Sequence, residues 1–134
     1  MLLTQKVYPS ITNCHYHPNV HEAYAVIQGS STLVLGLDVA REPDLGANYV
    51  QVFVSVGDVI VIPAGVSHRS KLFDKDYRYL AAYPEEGEKW KLVSKLVLAS
   101  EQYNALKYQV MANGVAVPRC DPVYEKGGLV EIWK

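Results

Sequence analysis

Three of the four histidines in this 134-residue chain lie close together in the stretch CHYHPNVHEAYAVIQG, residues 14–29. His15 and His17 are two residues apart, so in an extended chain their side chains emerge on the same face. Two imidazoles placed in this way can bind one metal ion. A His-x-His pair also occurs often by chance, so the pair alone is weak evidence for a metal site.

Glu22 strengthens the prediction. The segment PNVH at residues 18–21 is typical of a turn, and Glu22 then begins a strand that we expect to return antiparallel to His15 and His17. Such a hairpin would place the carboxylate opposite the two imidazoles. A buried carboxylate needs a cation or hydrogen-bond donors, and a divalent metal ion is one such cation. The residues that share its strand face follow at every second position: Tyr24, Val26 and Gln28.

The fourth histidine comes about fifty residues later, in GDVIVIPAGVSH at residues 57–68. An apolar strand runs to Pro63, Ala64 and Gly65 reverse the chain, and His68 begins the next strand. A histidine in this position is more often a surface residue or a cap. It is nevertheless the only histidine outside the first stretch.

Two neighbours of the candidate ligands are expected to point elsewhere, because adjacent side chains on a strand face opposite sides. His21 precedes Glu22 and is expected at the rim of the site or at an interface. Cys14 precedes His15 and is expected to be a packed thiol rather than a nucleophile.

These two stretches resemble the paired motifs of the cupin superfamily. The first stretch contains His15-x-His17, four residues, Glu22, six residues and Gly29, and the second contains Gly57, five residues, Pro63-x-Gly65, two residues and His68. Two positions depart from the family pattern. Pro9 stands where a glycine is expected and Leu72 where an asparagine is expected, and this puts only loop geometry in doubt.

The resemblance implies a metal bound by four ligands, His15, His17, Glu22 and His68. Cupin motifs allow three or four residues before the acidic ligand, so His21 occupies the shorter spacing and remains an alternative to Glu22. The chain also looks like a branch of small bacterial and fungal single-domain cupins whose chemistry is largely uncharacterised. The resemblance therefore implies a fold and a site but no particular substrate.

Three imidazoles and one carboxylate suit divalent iron, manganese, nickel, copper or zinc, and they leave coordination positions open. Such a metal acts as a Lewis acid or, for iron and copper, binds dioxygen. Tyr24 and Gln28 are the candidate catalytic residues, because they follow Glu22 on its face. Three further tyrosines alternate along a later strand and could bind substrate or donate a proton: Tyr77, Tyr79 and Tyr83. Three basic residues are expected on the surface: Arg69, Lys71 and Arg78.

These features favour a metal-dependent enzyme that acts on a small oxygenated or aromatic metabolite. Its reaction would be of the dioxygenase type, or a related decarboxylation, isomerisation or cyclisation. The alternative is a non-catalytic cupin that binds a metal and a small ligand. A metal-free cupin similar to sugar epimerases is a third hypothesis, and the complete ligand set argues against it.

Short apolar segments separated by turn residues predict an all-β fold, and the resemblance makes it a cupin jelly-roll barrel. The expected strands include EAYAVIQG, STLVLGL, NYVQVFVSVGD, YRYLAAY and DVIVIPAG, the last covered on both sides. One outer helix is expected near residues 101–113, with Ser100 as its N-cap and Gly114 just beyond its end. An extended tail over 115–134 would be anchored by Ile132 and Trp133.

Composition restricts the partners. The chain is 49% hydrophobic and 20% charged with a formal charge of −1, so it lacks the basic surface that nucleic acid or an anionic membrane requires. We expect one domain over residues 1–134. The absence of a signal-peptide pattern and the two cysteines predict a cytoplasmic protein. The segment LLTQKVY at residues 2–8 would serve as an edge strand in a homodimer.

Overall fold

The computed structural model describes residues 3–41, 48–84, 89–100 and 103–117. The strands are β1 (Leu3–Pro9), β2 (His15–Tyr16), β3 (Glu22–Gln28), β4 (Ser30–Leu35), β5 (Val50–Ser55), β6 (Val59–Ile62), β7 (His68–Phe73), β8 (Arg78–Pro84) and β9 (Val93–Ser94). A short 3₁₀ helix spans Val39–Arg41, and the α-helices are α1 (Lys95–Leu98) and α2 (Ala105–Asn113).

Two antiparallel sheets form the barrel. One has the strand order β1-β8-β3-β6 and the other the order β5-β4-β7-β2-β9. Most sequence neighbours are therefore not sheet neighbours, as in a jelly roll, so the predicted all-β fold is confirmed.

The main core lies between the sheets and is rich in tyrosine. Alternate side chains of β3 are buried, as the period of a strand requires. Members of the core cluster are Val20, Tyr24, Val26, Leu33, Val54, Ile62, Tyr77, Tyr79, Ala81 and Tyr83. The three tyrosines expected on one strand face are therefore all buried, two of them on β8 and Tyr77 just before it.

A second, smaller cluster contains Cys14, Val34, Leu37 and Val39, with Leu98 of α1 packed against it. Cys14 is a fully buried thiol rather than half of a disulfide. The expectation of a packed thiol is confirmed.

The hairpin expected between the histidine pair and Glu22 does not form. β2 pairs with β7 and β9, whereas β3 pairs with β6 and β8. The two strands thus belong to different sheets, and residues 17–21 cross from one sheet to the other. Glu22 approaches the histidines through the barrel interior and not across a turn.

β6 is an edge strand and not the doubly covered strand that its apolar run predicts. Among the described strands it pairs only with β3, and Val59 is 45% exposed while Ile62 is buried. An apolar run can arise from a half-buried edge strand as well as from a covered one, so local sequence does not distinguish them.

The predicted outer helix is present but shorter. The side chain of Asn104 accepts a hydrogen bond from the Lys107 amide at 2.9 Å, so Asn104 and not Ser100 is the N-cap. The helix ends at Asn113, and Gly114 lies just beyond its end as expected. Leu106 and Val110 on this helix are 70% and 63% exposed.

α1 is an additional short helix that the sequence did not predict. The described part of the chain contains no helix that is long and apolar enough to cross a membrane. The predicted tail anchors Ile132 and Trp133 lie outside the described residues.

Candidate metal centre

Three buried histidines converge inside the barrel. His15 on β2 pairs directly with His68 at the start of β7, and His17 follows immediately after β2. Ring nitrogens of the three residues lie within 4.8 Å of one another. The same-face expectation for His15 and His17 is confirmed.

Glu22 meets this cluster from the opposite sheet. Its Oε2 lies 3.4 Å from Nε2 of His17 and 3.1 Å from Nε2 of His68, and the carboxylate is buried. The four residues predicted as metal ligands are therefore brought together in space.

Backbone carbonyls orient all three rings. Nδ1 donates to the carbonyl of Asn13 at 2.9 Å in His15, of Lys91 at 2.6 Å in His17 and of Val66 at 3.1 Å in His68. Because a carbonyl only accepts, Nδ1 carries the proton and Nε2 of the neutral ring presents a lone pair. Metal-binding histidines are held by hydrogen bonds of this kind.

With neutral rings, the atoms of His17, His68 and Glu22 that face one another are all hydrogen-bond acceptors. Nε2 of His17, Nε2 of His68 and Oε2 of Glu22 are buried and make no hydrogen bond within the described structure. Buried acceptors that face one another cost free energy unless a donor or a cation lies between them. This donor set therefore fits a cation, and a mixed nitrogen and oxygen set suits a transition metal.

The charge states of Glu22 and His15 are those in which a carboxylate and an imidazole bind metal. Burial raises the pKa of the Glu22 carboxyl, but hydrogen bonds and positive charge supplied by protons on His17 and His68 outweigh burial and hold the pKa at about 2. A cation bound between these residues would supply the same positive charge in place of those protons. Burial, with a further effect from His68, lowers the pKa of His15 to about 4. Near neutral pH these two residues are an anionic carboxylate and a neutral imidazole, the forms in which such groups bind metal.

Tyr83 fixes the orientation of Glu22. The buried phenol donates a hydrogen bond to Oε1, so Oε2 is the oxygen that faces the histidines. Burial and the charge of Glu22 raise the pKa of Tyr83, and the phenol keeps its proton. The tyrosine was expected on this face, but its contact with Glu22 was not foreseen.

A pocket of about 230 Å³ opens beside the centre. His15, His17 and Glu22 form part of its wall. The other lining residues are Tyr8, Ile11, Asn13, Tyr79, Tyr83, Trp90, Leu92 and Ser94.

One wall of the pocket is the segment 89–94, which we call the strap. Asn19 holds it with two hydrogen bonds, from its Nδ2 to the Lys89 carbonyl at 3.0 Å and from the Lys91 amide to its Oδ1 at 2.8 Å. Trp90 lies between these two contacts, with its ring 5.2 Å from that of His17 and stacked at 5.5 Å on Tyr83. Sequence reasoning missed Asn19 and Trp90, because no short-range pattern links residues so far apart.

The two candidate catalytic residues differ in position. The buried Tyr24 ring lies 5.6 Å from the His68 ring and stacks at 4.1 Å on Tyr79, but it does not line the pocket. Gln28 is exposed and donates to Asp76 at 3.3 Å. A β-bulge after Val26 reverses the alternation of β3, so the expectation that Gln28 faces the interior is wrong.

His21 lies outside the centre. Its Nδ1 accepts a hydrogen bond from the Ala64 amide at 2.9 Å, and burial lowers its pKa. This position agrees with the expectation that His21 points to the face opposite to that of Glu22.

The turn of the second motif also holds His17. The Gly65 amide donates to the His17 carbonyl at 2.8 Å, and Gly65 has a φ of +83°. A Cβ at this glycine would lie 2.9 Å from the Cβ of Ala112 on α2. The motif glycine therefore permits both the turn and the close approach of the helix.

Comparison with known proteins agrees with this architecture. The Cupin family model matches residues 8–71. The chain is 31% identical over 120 residues to the uncharacterized protein YjlB of Bacillus subtilis, covering 89% of this chain and 64% of that protein. It is 34% identical over 59 residues to the acireductone dioxygenase of Schizosaccharomyces pombe, covering 44% of this chain and 33% of that enzyme. The chain thus spans less than two thirds of the length of either relative.

Solved structures show the same fold at low identity. An oxalate decarboxylase from Lactobacillus farciminis has a TM-score of 0.54 and 17% identity over 87% of this chain and 32% of that one. A recombinant oxalate oxidase has a TM-score of 0.50 and 17% identity over 69% of this chain and 44% of that one. The family match, the two-sheet barrel and the buried histidine cluster together place this chain in the cupin superfamily.

Proposed function

We propose that His15, His17, Glu22 and His68 bind one divalent transition metal, which the protein uses to transform a small oxygenated or aromatic metabolite. The observation that carries the proposal is the set of buried acceptor atoms on three of these residues that face one another without a donor. Iron, manganese, nickel, copper and zinc all suit this donor set.

The reaction we propose is of the dioxygenase type, or a related decarboxylation, isomerisation or cyclisation. When bound, the metal supplies a Lewis acid for an oxygen donor or, as iron or copper, a binding site for dioxygen. Similarity to an acireductone dioxygenase over part of the chain supports the first class. The oxalate enzymes support the fold alone.

The residues of the chain supply the surroundings of the reaction. Trp90, Leu92 and Ile11 line the pocket with apolar surface that excludes water. Tyr83 keeps its proton on the Glu22 side of the pocket, and Tyr79 adds a second phenol to the lining. Tyr24 stays a predicted catalytic residue that would act from behind Tyr79.

Elemental analysis of the purified protein, followed by oxygen uptake and an anaerobic turnover screen, tests the proposal. We expect close to one transition-metal ion per chain, lost in His17→Ala and His68→Ala and kept in His21→Ala. Metal loss in His21→Ala with retention in Glu22→Ala would make His21 the true ligand. A metal-loaded protein that binds small molecules but turns over none of them would favour the non-catalytic alternative.

The proposal includes a homodimer in the cytoplasm. β1 pairs along its length with β8 of its own chain, and among the described residues no strand pairs with its other edge, where Val7 is exposed. Open edges favour pairing with a second chain. The buried thiol of Cys14 suits a reducing compartment.

A further inference from the structure

We infer that the pocket beside the metal centre selects a single-ring planar molecule that binds as a neutral species or a monoanion, and discriminates against small dicarboxylates. The inference rests on the proposed function, since it names the substrate class of the same site. It is carried by the residues that line the pocket.

Aromatic side chains form much of the wall. Tyr8 and Tyr79 stack with ring centroids 5.8 Å apart, and Tyr83 and Trp90 stack at 5.5 Å. Ring surfaces favour a flat π-system over a small, strongly hydrated anion.

The described part of this wall carries no basic side chain. None of the described residues that line the pocket is a lysine or an arginine, and Glu22 is the one acidic residue among them. The ammonium of Lys6 lies 5.1 Å from the centre of the Tyr8 ring, but Lys6 is exposed and is not part of the lining.

Charge balance also favours a monoanion over a dicarboxylate. A divalent ion with one carboxylate ligand carries a net charge of about +1, which a single negative charge neutralises. The second charge of a dicarboxylate would then remain in a pocket of aromatic and apolar groups, where an uncompensated charge is costly.

The volume of the pocket limits the size of the molecule that can bind. At about 230 Å³ the pocket is smaller than those that usually hold drug-sized ligands. It therefore suits one ring and not a fused or extended ring system.

Calorimetric titration of the metal-loaded protein without oxygen provides the test. The probes are tropolone, a planar ring that chelates as a monoanion through two adjacent oxygens, and oxalate, which also chelates through two oxygens but is a dianion without a ring. We expect tropolone to bind the wild-type protein about tenfold more tightly than oxalate, the order of one stacking contact. Metal content is measured after each titration to exclude chelation in solution.

Two charge-adding variants isolate the cause. Leu92 lines the pocket and is 40% exposed, so Leu92→Arg places a cation in the wall with little risk to folding. We expect this change to tighten oxalate binding about tenfold and to alter tropolone binding by less than about twofold. Leu96 on α1 is 85% exposed and is not a lining residue, so Leu96→Arg adds the same charge elsewhere and should change neither affinity.

The outcomes separate the two proposals. If the wild-type protein binds oxalate as tightly as tropolone, or if metal-loaded Leu92→Arg gains no oxalate affinity over Leu96→Arg, the inferred substrate class is wrong. If the protein binds no transition metal at all, the proposed function fails before any probe is added.

Discussion

At the scale of single residues, Glu22 has separate tasks for its two carboxylate oxygens. Oε1 accepts the hydrogen bond of Tyr83, and Oε2 faces His17 and His68. Tyr83 is thus a positioning residue, since it acts on the centre through Glu22.

Tyr83→Phe removes this hydrogen bond and keeps the ring that stacks on Trp90. We expect metal affinity to fall about tenfold, because losing a hydrogen-bond partner of a ligand typically has this effect. Competition with a chromophoric chelator measures the change.

The matched control is Tyr77→Phe. Tyr77 is also buried, and its hydroxyl makes no hydrogen bond within the described structure, so its loss should leave metal affinity unchanged. Equal losses in both variants would show that Tyr83 acts through general packing and not through Glu22.

At the scale of elements, the strap couples the pocket wall to His17, one of the proposed metal ligands. Lys91 accepts the hydrogen bond that orients His17, and Trp90, its neighbour, packs against the same ring. Asn19 forms hydrogen bonds with the residues before and after Trp90, Lys89 and Lys91. Displacement of the strap would therefore disturb the metal centre as well as the pocket.

Asn19→Ala should weaken metal binding several-fold and shift Trp90 emission to longer wavelength, because the strap loses both of its hydrogen bonds with Asn19. The emission is measured in a Trp133→Phe background, in which Trp90 is the only tryptophan. Asn48→Ala, at an exposed position, is the control. Unchanged emission and metal affinity in Asn19→Ala would mean that the strap is held by its other contacts.

The turn at Gly65 and helix α2 provide a second test at this scale. Gly65 and Gly36 have similar φ values, +83° and +79°, but only Gly65 has a close neighbour, the Cβ of Ala112. Gly36→Ala should lower the free energy of unfolding by about 1 kcal/mol, the cost of a left-handed alanine. Gly65→Ala should cost about 1–3 kcal/mol more because of overpacking.

Chemical denaturation measures both variants. A Gly65→Ala protein no less stable than Gly36→Ala would show that α2 moves away from the turn without cost.

At the scale of the whole molecule, the centre joins the two sheets. Glu22 belongs to the four-stranded sheet, while His15 and His68 belong to the five-stranded one. A metal bound by all of them would bridge the barrel. Its removal should therefore loosen the packing between the sheets.

We expect chelation of the metal to lower the melting temperature. At a free metal concentration a hundred times Kd, binding adds about 2.7 kcal/mol to stability, which for a chain of this size corresponds to a shift of about 8 °C. Differential scanning calorimetry with and without chelator measures it. His68→Ala should melt at one temperature in both conditions, and a shift in that variant would place the stabilising ion elsewhere.

Assembly is the other prediction for the whole molecule. In the part of the chain that the structure describes, one edge of β1 is unpaired, which predicts a dimer. Light scattering at high micromolar concentration should give twice the mass of the chain. A monomer at that concentration would contradict the proposal.

The all-β fold class and the four residues that meet inside the barrel could be predicted from the sequence. The identity and spacing of His15, His17, Glu22 and His68 are local properties, and strand alternation assigns their faces without knowledge of distant contacts. The same alternation correctly separated His21 and Cys14 from the centre. It failed at Gln28, where a bulge added one residue to the strand.

Which strands and segments contact one another depends on the tertiary structure. β2 and β3 lie in different sheets, β6 is an edge strand, and the strap reaches His17 from 74 residues away. Each of these facts depends on the pairing of segments far apart in the chain, where the same local pattern is compatible with several partners. The four converging residues could therefore be predicted from their spacing, whereas the pocket that surrounds them depends on the packing of the two sheets.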